Sequence, residues 1–482
     1  MSDPYEYLER ISDPSVVKWA IEESDRCVSR LRETSEKIYE KVLFYTTQPI
    51  AYYFKRNRAG LFYILRDSSY KVLLQTDRES RILVDSGSLG ENAVIQNYYI
   101  DPEGRVFAYY YSMRGSDVGE LVVIDLERDE EIDRIKGSVY DVIFLRDAEY
   151  YYVRFYRSGV CPDGVEAPCT RVFLRRDRED TMVFGRDLPK NYFISLKASS
   201  NREKALLKIS YGWSRDMIVG GSLTEPDSWR VLYDKGHRAE IIDVVGDNYI
   251  VVVYDREGFG RIIFVNRDLR EIVGEQDDYL QDAMLVSSRY IVASYLRHAS
   301  SHIVIYDLNG RIVDQISFRE PVSVFRMYSY GEGGFIELRS FTKPYQVLEF
   351  SGDTRSRRII AESNISLDIE IVEGFALSHD STQIHYFHLK SPRNTKRVVI
   401  YGYGGFSIAL TPNFMSWIPL LLESGIDVVI ANLRGGSEYG EKWHHAGMKE
   451  NKINVFLDFI AVARLFKERG YKVAGFGRSN GG

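Results

Sequence analysis

The run of short alternating strands between residues 46 and 365 constrains the fold more than any other feature of the sequence. Strand-like segments such as 121–125, 249–254 and 302–307 are separated by hairpin turns such as 101–104 and 307–310. No convincing helical period interrupts this run. A single β-sandwich does not suit such a length, whereas a radial array of four-stranded blades does. At roughly 40–50 residues per blade, the run predicts an all-β, seven-bladed propeller.

Residues 1–45 have the pattern of a helix that precedes the strands. Asp13 and Pro14 supply an N-cap and a proline at the first helical position. Apolar and small side chains then recur at the i, i+3, i+4 spacing of one helix face, at Val17, Ala20, Ile21, Ser24, Val28 and Leu31. We therefore expect one long helix in this segment.

The pattern changes again after the strand run, where strands and helices alternate. Strand, helix, strand and helix are predicted at 398–401, 414–422, 425–432 and 454–470, with Asn454 as the last helix's cap. This order builds a parallel sheet through right-handed crossovers. The sequence thus predicts three parts: a helical segment 1–45, a propeller 46–365 and an incomplete, parallel doubly wound α/β domain 366–482.

The most informative motif is Gly477-Arg478-Ser479-Asn480-Gly481, directly after an apolar run that ends in Gly475-Phe476. A glycine on either side of the serine permits a tight strand-to-helix turn, because a Cβ there would clash with the neighbouring backbone. This is the nucleophile elbow of the α/β-hydrolase fold. It predicts Ser479 as the nucleophile.

The order of residues along the chain bears on the catalytic triad. The triad of this fold runs in the order Ser, then Asp or Glu, then His. All eight histidines precede Ser479, and only Asn480, Gly481 and Gly482 follow it. We therefore expect this chain to lack the triad Asp and His and to be inactive alone.

A second motif, Tyr401-Gly402-Tyr403-Gly404-Gly405-Phe406, follows the strand 398–401. Acyl transfer needs preorganised donors for the oxyanion of its tetrahedral intermediate. One donor is the backbone N–H after the nucleophile, here that of Asn480, and the Tyr403 hydroxyl is a candidate for the other. The alternative is a glycine-rich turn with packed aromatics. A third run, 432–440, is either another site loop or only a connector.

Together these motifs resemble the prolyl oligopeptidase family. The resemblance rests on Tyr401–Phe406 with Thr411-Pro412-Asn413, on Asn432–Glu441 with Trp443-His444, on Gly477–Gly482, on Asp3-Pro4-Tyr5 with Leu8-Glu9 and Trp19, and on Ser340–Pro344. It implies a serine-type endopeptidase in which a seven-bladed propeller covers an α/β-hydrolase domain and admits only short peptides. Cleavage would follow proline through an acyl-enzyme on Ser479, with Phe406 lining the substrate pocket.

The same residues are compatible with other functional hypotheses. The chain could belong to an inactive or split peptidase whose propeller binds peptides or a partner, with a complementing C-terminal fragment as one candidate partner. It could also belong to a neighbouring branch of these peptidases. No cofactor or metal is implied: His385 and His388 lie three apart on a probable strand, so they point to opposite faces and make a poor metal pair.

Composition excludes some classes of partner. The net charge of −6 and pI near 5.9, with no basic stripe, argue against nucleic acid. We find no signal peptide at the start and no apolar run of the roughly 18 residues that span a bilayer, so we expect a cytoplasmic protein. Cys161 and Cys169 flank a Pro/Gly-rich loop and are either free thiols or a disulfide.

Overall fold

A computed structural model describes residues 3–146, 149–213 and 215–482. Met1 and Ser2, which begin the predicted helical segment, lie outside the described residues. Helix α1 spans Pro14–Thr46. The Asp13 carboxylate accepts a hydrogen bond from the Ser15 N–H at 2.9 Å, so the helix begins with the predicted cap and proline. Among the helices of the described ranges, none is long and apolar enough to cross a membrane.

Helix α1 packs little of its own surface. Val16 is its one buried residue, and its last turns contact Glu423 of the α/β part. Lys41 Nζ and the Tyr45 hydroxyl each donate to the Glu423 carboxylate at 2.5 Å. The helical segment therefore belongs in space with the α/β part and not with the strands that follow it.

In the described ranges that follow α1, twenty-seven strands form six antiparallel sheets in chain order. The first sheet is β1 Ile50–Asn57, β2 Gly60–Arg66, β3 Tyr70–Gln75 and β4 Ser80–Asp85. The second is β5 Ala93–Ile100, β6 Val106–Met113, β7 Gly119–Asp125, β8 Glu130–Phe144, β9 Tyr150–Tyr156, β10 Cys169–Arg176 and β11 Glu179–Phe184. The third is β12 Tyr192–Ala198, β13 Lys204–Tyr211, β14 Arg215–Ser222 and β15 Arg230–Tyr233.

The remaining three sheets repeat the same four-stranded order. The fourth is β16 Ala239–Val245, β17 Asn248–Val253, β18 Arg261–Val265 and β19 Leu269–Val273. The fifth is β20 Tyr279–Val286, β21 Tyr290–Arg297, β22 Ser300–Asp307 and β23 Ile312–Ile316. The sixth is β24 Val322–Ser329, β25 Gly333–Ser340, β26 Gln346–Ser351 and β27 Asp353–Glu362. These sheets are the blades of a β-propeller, as the strand run predicts.

The predicted count of seven blades needs a correction, because the structure has five separate four-stranded blades and one seven-stranded sheet. The cause is β8, which is 15 residues long and never breaks. Its first half, 130–137, pairs with β7, and its second half, 138–144, pairs with β9. The seven strands β5 to β11 are therefore joined in one hydrogen-bonded sheet.

The first and sixth sheets meet and close the ring through side chains. The Phe54 and Phe335 rings lie 6.4 Å apart, and the Phe54 N–H donates to the buried Glu337 carboxylate at 2.8 Å. Ala51 and Val347 lie in one buried cluster with these two rings, and Ala361 packs against that cluster. The start and the end of the propeller are thus neighbours in space.

The α/β part is a mixed sheet with helices on it. Its elements are β28 Glu370–Leu377, β29 Gln383–Lys390, β30 Arg397–Gly402, α2 Trp417–Glu423, β31 Asp427–Ala431, α3 Gly440–His445, α4 Ile453–Glu468 and β32 Lys472–Phe476. The sheet order is β28-β29-β31-β30-β32. Strands β31, β30 and β32 are parallel, as predicted, whereas β28 and β29 run antiparallel. The short turn between β28 and β29 allows only a hairpin.

The cap of α4 also differs from the prediction. Lys452 holds the N-cap position, and Asn454 lies inside the first turn, where its side-chain amide donates to the Ala446 carbonyl at 2.9 Å. The sequence pattern could not exclude this, because an asparagine two residues further along satisfies the same local rule.

The turns between the second and third strands of four consecutive blades contact the α/β part. Trp213 contacts Phe406, and the Gly258 carbonyl accepts a hydrogen bond from the Glu441 N–H. The turn of His298 and Ala299 contacts Tyr439, and Phe341 packs against Phe387. The β9–β10 turn holds the same place in the seven-stranded sheet. There Cys161 and Cys169 form a disulfide, which answers the question that the sequence leaves open.

Candidate active site

The predicted elbow follows the edge strand β32 and forms a very tight turn. A Cβ on Gly477 would lie 1.7 Å from the Gly481 carbonyl oxygen, and one on Gly481 would lie 2.5 Å from that of Gly402. Only glycine fits either position. Ser479 itself has a φ of 57°, in the left-handed region that costs an L-residue of order 1–3 kcal/mol. Its side chain is exposed, so the strained backbone presents the hydroxyl to solvent.

The loop after β30 lies directly against this elbow. The Asn480 side-chain amide donates to the Tyr403 carbonyl at 3.0 Å. A Cβ on Gly405 would lie 2.4 Å from the same amide nitrogen, so a larger residue there would displace the Asn480 side chain from this bond. The structure therefore brings together Ser479, Asn480 and Tyr403, although Tyr403 and Asn480 are 77 positions apart.

The third run, 432–440, backs the Tyr403 loop and is more than a connector. The Ser407 N–H donates to the Gly435 carbonyl at 3.1 Å, and a Cβ on Gly435 would come within 2.7 Å of the Gly404 carbonyl oxygen. His444 is buried with Nδ1 2.8 Å from the Gly435 oxygen and 3.1 Å from the Ser407 nitrogen. It braces two loops and is not a base at the nucleophile.

A buried ion pair anchors the same run to helix α4. Both Nε and Nη2 of Arg434 donate to the carboxylate of Asp458, which has no exposed surface. Arg434 also pairs with Asp380 at 2.5 Å. Burial raises the pKa of Asp380, but hydrogen bonds from Arg434 and Thr382 outweigh it and hold that pKa well below its usual range. Charge-assisted hydrogen bonds therefore join the 432–440 run to helix α4 and to the turn that contains Asp380.

Phe406 faces the propeller. Its ring is 46% exposed and meets the Trp213 ring edge to face, with centroids 5.9 Å apart. Sequence reasoning missed Trp213, although an aromatic side chain in a glycine-containing turn was a usable signal. It also missed Lys452, which lies beside Asn480 and has no local motif that marks it.

Metal binding has little support from the described residues. In the ranges 3–146, 149–213 and 215–482, no group of three or more His, Cys, Asp or Glu side chains could hold a metal ion. His385 and His388 are both buried and hydrogen-bonded locally. His385 lies 2.7 Å from Asn432 and 3.0 Å from Glu373, and His388 lies 2.7 Å from Asp427.

The comparison with protein families decides what this arrangement is part of. The N-terminal β-propeller domain of prolyl oligopeptidase matches residues 1–363, and the prolyl oligopeptidase family matches residues 412–482. The chain belongs to the prolyl oligopeptidase family. The family resemblance stated from the motifs is thereby confirmed, with the hydrolase domain covered in part.

Curated relatives agree with this family over the whole chain. A prolyl endopeptidase of Elizabethkingia miricola is 24% identical, with 100% of this chain and 73% of the relative covered. Prolyl oligopeptidase A of Galerina marginata is 26% identical, covering 100% of this chain and 75% of the relative. A solved prolyl endopeptidase structure shares the fold with a TM-score of 0.89 at 22% identity, and covers 100% of this chain and 76% of its own. The chain is therefore of a serine peptidase family.

Proposed function

We propose that this chain belongs to a serine endopeptidase that cleaves short peptides on the carboxyl side of proline. The observation that carries the proposal is the strained, exposed Ser479 at a turn that admits only glycine on either side, beside the Tyr403 loop. A backbone held at positive φ needs surrounding structure to maintain it, and such strain concentrates at functional sites.

The proposed chemistry uses four residues of the chain. The Ser479 hydroxyl attacks the peptide carbonyl and loses its proton to a histidine base, which the resemblance places beyond Ser479. The Tyr403 hydroxyl and the Asn480 N–H donate to the oxyanion, and Phe406 lines the pocket for the substrate side chain. The C–N bond of the intermediate then breaks, the leaving amine takes the proton from the histidine, and water hydrolyses the acyl-enzyme on Ser479. Relatives named prolyl endopeptidase support the proline specificity.

The propeller in this proposal limits access to short peptides. We infer seven blade positions, with the seven-stranded sheet filling two of them. Its two halves turn toward each other, because the Asp141 N–H of β8 donates to the Tyr99 hydroxyl of β5 at 3.1 Å although two strands separate them in the sheet. A flat continuous sheet could not place these two groups together.

A second candidate is a peptidase completed by another polypeptide segment. Its support is a set of large apolar side chains exposed around the edge strand and helix α4, namely Phe456, Ile460 and Phe476. Large exposed apolar side chains beside an unpaired edge strand mark an interaction site. The proposed occupant is the remaining hydrolase segment, in the same chain or as a complementing C-terminal fragment. The domain bounds 1–45, 46–365 and 366–482 and the cytoplasmic location stay predictions.

The test is hydrolysis of a proline-containing chromogenic peptide by the product of the complete reading frame. Ser479→Ala should reduce the rate on the order of 10⁴-fold or more, because loss of a nucleophile removes the acylation step. Ser416→Ala is the matched control, since the Ser416 side chain makes no cap bond at α2. Equal rates for the wild type and Ser479→Ala would exclude peptidase chemistry at this serine.

The same assay separates the two candidates. Residues 1–482 alone should hydrolyse the peptide no faster than their own Ser479→Ala variant. Addition of the hydrolase segment that follows the elbow in a relative should raise the rate in the wild type and leave the variant unchanged. A Ser479-dependent rate without that segment would show that a histidine among residues 1–482 serves as the base.

A further inference from the structure

Lys452 connects the two loops of the candidate site through its ammonium group. Its Nζ donates to the Gly404 carbonyl at 2.8 Å and to the Asn480 side-chain oxygen at 3.3 Å. Gly404 follows Tyr403 in the loop after β30, and Asn480 follows Ser479 in the elbow. One side chain from the start of α4 therefore holds a loop and an elbow that lie on different strands.

The Asn480 amide completes a closed circuit of hydrogen bonds. Its oxygen accepts from Lys452, and its nitrogen donates to the Tyr403 carbonyl at 3.0 Å. The orientation of the amide is settled by chemistry, because the lysine can only donate and the carbonyl can only accept. With the amide turned over, both contacts would be repulsive. Lys452 thus fixes which way the Asn480 side chain faces.

The position is an unfavourable one for a lysine. Lys452 is the N-cap of α4, where its side chain makes no capping bond and where the helix dipole disfavours a cation. In the described part of the chain, no Asp or Glu lies within ion-pair distance of its Nζ. Burial lowers the pKa of this ammonium group. Its φ of −58° and ψ of −27° are helical, so the position has no capping geometry and helix capping does not account for the lysine.

We propose that Lys452 is a positioning residue that sets the spacing between the two oxyanion donors, the Tyr403 hydroxyl and the Asn480 N–H. This inference rests on the proposed function and assigns a further residue to its site. Lys452 does not touch the substrate. It acts through the Gly404 carbonyl and the Asn480 amide, each of which belongs to the segment that carries a donor.

Removal of the ammonium group should loosen the donors without unfolding the protein. Within the described residues, the carbonyl of the buried Gly404 would keep the Asn480 amide, 3.5 Å away, as its one hydrogen-bond partner. The Asn480 side chain would be free to rotate, and the Tyr403 loop would lose its tether. A misplacement of about 1 Å at a reacting centre costs on the order of 10²-fold in rate. Because the oxyanion forms only in the transition state, kcat should change and KM should not.

The first experiment measures kcat and KM for the product of the complete reading frame with a proline-containing chromogenic peptide. Lys452→Met should lower kcat roughly 10- to 100-fold and change KM less than about threefold. Lys452→Arg, which keeps a cationic donor, should recover most of the loss. Lys449→Met is the matched control, because Lys449 is exposed three residues earlier and should change neither constant. A kcat for Lys452→Met within twofold of the wild type would overturn the proposal.

The second experiment keeps the inference testable when the proposed function fails. Backbone hydrogen exchange is measured for residues 1–482 without substrate. Lys452→Met should speed exchange in the 402–407 and 477–482 segments at least tenfold and leave propeller segments unchanged, and Lys452→Arg should not. Unchanged exchange in both segments would refute the positioning role, whereas absence of Ser479-dependent hydrolysis in the wild type would refute only the peptidase.

Discussion

Two turns of the propeller hold the same position in their blades and both face the α/β part, yet they meet it differently. Trp213, in the β13–β14 turn, is 60% exposed and reaches only the edge of the Phe406 ring. Ala299, in the β21–β22 turn, has no exposed surface and lies in one cluster with Phe387 and Ile430. The β13–β14 turn makes an exposed contact with the α/β part, whereas the β21–β22 turn is buried in a cluster of that part.

The buried β21–β22 turn also carries backbone strain. His298 and Ala299 have φ values of 47° and 62°, which cost residues with a Cβ of order 1 kcal/mol each. Contacts with the α/β part hold the turn in place. His298 Nδ1 lies 3.0 Å from the Tyr439 hydroxyl, and its ring stacks on His385 at 5.5 Å. The difference teaches that the two parts are anchored at the β21–β22 turn and should separate most readily at Trp213 and Phe406, beside the site.

The largest expected effect comes from breaking the anchor. Ala299→Asp places an unpaired carboxylate in an apolar cluster and should reduce the free energy of unfolding by about 3 kcal/mol or more. Urea unfolding followed by tryptophan fluorescence measures it. Ala299→Gly is the matched control, because glycine accepts the positive φ and the lost methyl offsets that gain. If Ala299→Asp unfolds at the same urea concentration as the wild type, the turn is not an anchor.

The second effect depends on pH and on His298. Burial, and then the charge of His385, lower the pKa of His298 from its ordinary 6.5. The unfolded chain therefore binds this proton more readily, so stability should be full above pH 6.5 and fall as the pH drops below it. Because the side chain is partly solvated, the loss should be at most about 1 kcal/mol. His298→Gln should remove that part of the pH dependence.

Other charges around His298 must be separated from it. Glu373 and Asp278 raise its pKa, Arg297 lowers it, and Glu438 behind Asn432 titrates with the opposite sign because burial raises its pKa to about 7. All of them are present in both proteins, so the difference between wild type and His298→Gln isolates His298. Urea unfolding at pH 7.5 and 5.5 gives that difference. A difference that does not change with pH would mean that His298 carries no linked proton.

The smallest effect is expected at the exposed turn. Trp213→Ala removes an aromatic contact whose partners both remain in solvent, so the free energy of unfolding should change by less than about 0.5 kcal/mol. The same urea titration measures it, with Trp229→Ala as the contrast, because Trp229 is buried in the propeller and its loss should cost about 3 kcal/mol. A loss above about 2 kcal/mol for Trp213→Ala would make the two turns equivalent.

Local patterns of the sequence predicted most of the architecture. The turn around Ser479, the loop from Tyr401 to Phe406 and helix α1 each follow from rules that act within a few residues. The propeller follows from the repeat of strands and turns. The joining of seven strands into one sheet through β8 could not be predicted, because nothing local distinguishes a strand that continues from one that ends.

The parts of the site that were missed depend on approach in space. Lys452 and Asn480 are 28 residues apart, and Trp213 and Phe406 are 193 apart. No spacing rule links such positions, since their contact results from the packing of whole elements. For the same reason the sequence pattern predicted Asn454 as the N-cap of α4, because asparagine is a good capping residue. It did not indicate Lys452, whose hydrogen-bond partners follow other strands.

The contact between the first and sixth sheets makes the propeller a self-contained unit. Helix α1 is held by Glu423, and the chain returns to the mixed sheet at Glu370, so about 320 residues leave and re-enter the α/β part. For a flexible insertion of that length the entropy of joining its ends would grow with the logarithm of the length. Here the ring holds its own ends together through Phe54 and Phe335. Insertion of the ring into its host therefore needed only two adjacent crossing points, and excision at the same points with a short bridge would leave the host topology intact.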